Sequence, residues 1–122
     1  MPADHDPLAQ DKREIVSVAR RILNGSSGII AGAREITRVR FTSHSIEKDQ
    51  ELLVFGGIAS ETDHLPVGDA RKHWSAEALA AKDAEIKSAE TFFTERALRA
   101  AKILINRYDE AAPSKSSQSL PP

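Results

Sequence analysis

Between Leu8 and Phe41 the apolar positions keep a helical step. Ile15, Val18, Ala19, Ile22 and Leu23 follow one another at intervals of three and four, which is one apolar face of an α-helix. The pattern then crosses Asn24-Gly25-Ser26-Ser27-Gly28 without losing phase. Ile15, Ile22, Ile29 and Ile36 are spaced by heptads, and so are Val18, Gly25, Gly32 and Val39. Read locally, Asn and Gly end one helix and a Ser caps the next. Read over the longer window, the register predicts one continuous helix, Leu8–Arg40. That helix carries a cost of about 1 kcal/mol for each glycine relative to alanine. In return Gly25, Ser26 and Gly32 form a seam that another helix can approach closely. A kink near Gly25–Gly28 satisfies both readings.

Residues Thr42–Gln50 are polar and aperiodic, a loop. Glu51–Ala59 is ambiguous: Val54, Phe55 and Ile58 favour a strand, but no other segment alternates to pair with it. Read as a helix from about Lys48, it places Leu52, Phe55, Ile58 and Ala59 on one face, and helix is the expectation. Pro66 and Gly68 take the chain out of regular structure. Asp69–Trp74 has room for one short helical turn. Ser75 is then a good N-cap, and Ala76 to about Asp109, free of Gly and Pro, reads as a long helix. Its stripe is Leu79, Ile86, Ala89, Phe93, Ala97, Ala100, Leu104 and Tyr108. The fold expected is all-α: two long antiparallel helices, Leu8–Arg40 and Ala76–Asp109, with a shorter helix near Lys48–Ala59, a small helical bundle. Residues 1–8 and the Ser/Pro-rich residues 111–122 read as disordered tails around a single domain, 9–110.

Composition narrows the function classes. The 122 residues hold no cysteine, which excludes disulfide scaffolds and thiol chemistry. The longest apolar run, Leu52–Ala59, is far short of a membrane span, and the N-terminus shows no leader pattern, so a cytoplasmic chain is expected. Charge is unevenly placed. Seven bases and two acids lie between Lys12 and Arg40, whereas six acids and one lysine lie between Glu47 and Asp69. The overall net charge of −1, and the lack of aromatics among the bases, argue against nucleic acid. The basic helix is expected to pack beside the acidic segment, or to dock a charged partner.

Candidate chemistry concentrates between Ser60 and Trp74. Glu61, Asp63, His64, Arg71 and Trp74 are the candidate binding residues, expected to converge at one end of the bundle because Pro66 and Gly68 fold the segment back. A structural role is the plainer reading: acids cap backbone donors, Arg71 pairs with one of them, and Trp74 closes the core. No His-x-x-x-His spacing is present, the single Glu-x-x-His, Glu61–His64, stands alone where a helical di-metal site needs two, and there is no nucleophile elbow or phosphate loop. Neither a metal nor a cofactor is therefore expected, and no catalytic residue can be assigned. Ser60–Gly68, with Trp74 and Lys82-Asp83-Ala84-Glu85-Ile86, resembles small bacterial helical proteins. The resemblance implies a bacterial source and an all-helical fold, and brings no activity. The sequence thus leads to a non-enzymatic protein-binding module, such as a small regulator or toxin-neutralising partner. The alternative is a small-ligand or metal-binding protein, or an enzyme, using the Glu61–Trp74 loop. A homodimer through the Ile15, Ile22, Ile29 and Ile36 seam is the further expectation.

Overall fold

The computed structural model describes residues 6–43 and 49–109, and the tails expected at the two ends lie largely outside them. The described residues are mostly helical, without a strand. Helix α1 spans Pro7–Asn24, α2 Ile29–Thr42 and α3 Gln50–Glu61; a short 3-10 segment, Gly68–His73, precedes α4, Ala76–Tyr108. Asp6 caps α1 by accepting from the Leu8 N–H, and Pro7 stands in the first turn, so the folded body already includes these residues.

The continuous first helix is not what the chain forms. Gly25 ends α1 in the left-handed region at φ 83°, a conformation an alanine would adopt at a cost of about 1 kcal/mol. The Asn24 side chain accepts from the Ser26 N–H, and the Ser27 N–H returns to the Arg21 carbonyl, which closes a true turn. Helix α2 then folds back along α1, with Glu14 of α1 beside Arg38 of α2 at 2.7 Å. The close approach foreseen for Gly32 is real, but it comes from the chain itself. A Cβ at Gly32 would stand 2.6 Å from Ile22 Cδ1. Ile15, Ile22, Ile29 and Ile36 are all buried in this one core, so the seam assigned to a second copy is already covered.

Helix α4 is the axis on which the bundle is assembled. Lys12, near the start of α1, lies over the Tyr108 ring at the end of α4, so the two run antiparallel. The α4 stripe enters the core only from Phe93 onward, through Ala97, Ala100, Ala101 and Leu104. Leu79, Ile86 and Ala89 are half-buried, and at about 1.5 Å per residue the first four turns overhang the bundle. Ser75 caps α4 as expected, accepting from the Ala78 N–H at 3.1 Å.

Helix α3 packs against α2 and α4 through Leu52, Phe55 and Ile58. The Asp49 side chain caps it, accepting from the Glu51 N–H at 2.9 Å, and also accepts from Arg107 at 2.7 Å and from the Tyr108 hydroxyl. Burial pushes the Asp49 carboxyl up, but the hydrogen bonds from Tyr108, Arg107 and the Glu51 backbone together hold it below its ordinary value. A carboxylate lowered by folding adds stability above its unfolded-state value, and that stability is lost as pH falls through the folded one. Urea midpoints are therefore expected to drop as the solution is acidified below the ordinary carboxylate range. Asp49→Asn, which keeps a cap but not the charge, should flatten that limb of the pH profile.

Charge compensation is internal, though along other pairs than the sequence led one to expect. Arg21 meets Glu35 at 3.4 Å, Arg38 meets Glu14, and Arg20 meets Asp109. From the acidic segment, Asp49 and Glu51 both engage Arg107 of α4 rather than the basic helix.

Candidate functional site

The segment after α3 is held in place by an arginine from α2. Arg34 donates to the carbonyls of Thr62 at 2.5 Å and Leu65 at 2.8 Å, while the Thr62 hydroxyl donates to the Ile58 carbonyl at 2.6 Å. They add to two backbone bonds of the same turn, Thr62 N–H to the Ile58 carbonyl at 3.1 Å and Leu65 N–H to the Thr62 carbonyl at 3.0 Å. They also fix the turn that buries Leu65 and Pro66. From this anchored turn His64 reaches across to the overhanging part of α4, where its Nε2 lies 2.6 Å from Glu85 Oε2. Lys82 approaches the other Glu85 oxygen at 3.4 Å. The His64 hydrogen bond is the main reason the Glu85 carboxyl sits below its ordinary value. Arg71, from the 3-10 segment, donates to Asp83 at 3.0 Å and to the Pro66 carbonyl at 3.2 Å.

These contacts leave a shallow, open cleft of about 380 Å³ between the end of α3 and α4, with Glu61, Thr62, His64, Leu65, Glu85 and Phe92 among its lining residues. Phe92 stands out from the rim with 71% of its surface exposed, edge-on against buried Phe93 at a centroid distance of 4.9 Å. Two apolar rings at successive helical positions cannot share a face, so one of them has to point outward. The ionisable groups that line this cleft are the His64–Glu85 pair and the exposed carboxylate of Glu61, with Thr62 and Ser88 beside them. Among the described residues no group of three or more His, Asp or Glu side chains could hold a metal ion.

The convergence expected of the candidate loop is partly observed. Glu61 and His64 share the cleft, and Arg71 docks on the adjoining stretch of α4. Asp63 points to solvent, and Trp74 does not close the core: it is 37% exposed and lines no part of the cleft. Leu65, Pro66 and Phe93, with Thr62, are buried at this end instead. Sequence reading alone missed Arg34, Glu85 and Phe92 as members of the site. Of the three, only Phe92 had a local signal, as half of a Phe-Phe pair in a helix whose stripe already contained its neighbour. No family model, no curated protein and no solved structure matches the chain.

Proposed function

We propose that the chain is a non-enzymatic helical protein-binding module, a small regulator or neutralising partner in kind, that docks its target at the α3–α4 end of the bundle. The observation that carries this reading is Phe92. It is a largely exposed aromatic on the longest helix of the fold, ringed by Glu61, His64 and Glu85. An apolar anchor on a stiff support within a polar rim is the anatomy of a protein-binding patch. The His64–Glu85 and Arg71–Asp83 contacts brace the loop against α4, so that little ordering remains to be done on binding.

The test is a pull-down from a lysate of the source cell, followed by titration with the captured protein. Phe92→Ala is expected to leave the melting temperature almost unchanged and to abolish capture, and Arg71→Ala, which loosens the brace, to weaken it. Retention of the same partner by Phe92→Ala would overturn the reading. So would large stabilisation by a metal or small ligand in a thermal-shift screen, because only a ligand that prefers the native state raises stability.

A further inference from the structure

Helix α4 changes character along its length. Residues 76–90 hold four acids and two lysines, whereas residues 91–108 hold four bases and a single acid, Glu95. The fold uses two of those four bases. Arg107 pairs with Asp49 and Glu51, and Arg96 lies over the Phe93 ring at 5.8 Å. Arg99 and Lys102 are exposed and meet no carboxylate among the described residues, and Glu95, one turn before Arg99, makes no ion pair with it. The helix dipole does not account for them either, since its hold on a cation is confined to the last turn, where Arg107 already stands. Both line a hollow of about 470 Å³ on the outer side of α4, together with half-buried Leu98 and Ile103. Phe92, Arg96, Arg99 and Ile103 follow one another at steps of four, three and four, so the hollow continues the ridge on which Phe92 stands.

Resting on the docking reading above, we propose that the target presents an acidic amphipathic helix to this ridge. One apolar residue of that helix packs against Phe92, and its carboxylates lie over Arg99 and Lys102. The dimensions suit a helix. Phe92 and Ile103 are about 16 Å apart along the axis, so a partner segment of three to four turns reaches both apolar ends. Arg99 and Lys102 are one turn apart, the spacing at which a second helix repeats its own acids. Charge also sets the direction. Beyond Phe92 the surface turns acidic, with Glu85 at the cleft and Glu61 unpaired among the described residues. The acids of the segment therefore belong at the Ile103 end, and its neutral or basic residues at the cleft. A nucleic acid, negative along its whole length, would be repelled at the cleft end.

The test uses a defined probe, a labelled synthetic helical peptide of about 18 residues with a leucine face flanked by glutamates. Its counterpart carries lysines in place of the glutamates. Fluorescence anisotropy with the full chain is expected to show binding of the glutamate peptide that weakens as salt is added, and binding of the lysine peptide at least about tenfold weaker. Arg99→Glu and Lys102→Glu should each weaken the glutamate peptide about three- to tenfold while leaving the melting temperature almost unchanged, because neither side chain holds a contact in the fold. Glu95→Gln, which removes the one acid from the ridge, should tighten it about twofold. Phe92→Ala should weaken it too. Equal binding of the two peptides, no binding up to millimolar concentration, or charge reversals without effect would overturn the proposal. So would a single-stranded oligonucleotide that binds this face more tightly than the glutamate peptide. If one of these results came while Phe92→Ala still failed to capture the lysate partner, the acidic helix would be rejected and the cleft reading would stand.

Discussion

Glu90→Ala is expected to destabilise the fold by about 2–3 kcal/mol, more than the loss of a solvent-exposed helix cap. Gly28 precedes α2 and offers no side chain to its first N–H groups. Glu90, from α4, supplies what is missing: Oε1 accepts from the Ile29 N–H and Oε2 from the Ile30 N–H, each at 2.9 Å. Ile29 and Ile30 are both buried, so removing the carboxylate leaves two donors that water reaches poorly. The charge is also lost from the positive end of α2. Glu90→Gln, with one amide oxygen, can serve only one of the two donors and should fall between wild type and Glu90→Ala. Urea unfolding followed by far-UV circular dichroism measures both. A loss below about 0.5 kcal/mol for Glu90→Ala would mean that the cap adds nothing to stability.

That contact also bears on the first half of the chain, whose register predicts one helix. The heptad spacing of Ile15, Ile22, Ile29 and Ile36 reports correctly that all four are buried. It carries no information on whether they share an axis, and the turn at Asn24–Gly28 happens to preserve the count. The local signal at Gly25 was the sound one, since its positive φ fixes the turn. What makes a break affordable is the cap, and its acid lies 60 and 61 positions along the chain from the groups it serves. No rule that scans neighbouring residues can find such a partner. The same distance hides the anchors of the candidate site. Its loop was legible as a polar cluster with turn residues, whereas Arg34, Asp83 and Glu85, which position it, belong to α2 and α4. Helix α4 was legible almost to the residue, because its cap, its stripe and its lack of Gly and Pro all lie within one uninterrupted segment.

Helix α3 is where the balance between local preference and packing can be measured most directly. Val54, Phe55, Gly56 and Gly57 are weak helix formers in succession, so the segment stays helical only because the bundle holds its inner face. That face is Leu52, Phe55 and Ile58, and Phe55, the largest of the fully buried side chains, is 0% exposed. Phe55→Ala is therefore expected to cost about 3–5 kcal/mol, the loss typical of a large core truncation. A domain of this size commonly has only about 5–15 kcal/mol in total. Because α3 has so little helical preference of its own, the variant should also lose part of its far-UV signal before the main transition, as that helix frays first. Leu53→Ala, two positions earlier on the outer face, should change the stability of the dilute chain by less than about 1 kcal/mol. The contrast is what matters. Equal losses at the two positions would mean that α3 does not present Phe55 to the core, and the packing of α3 between α2 and α4 would have to be abandoned.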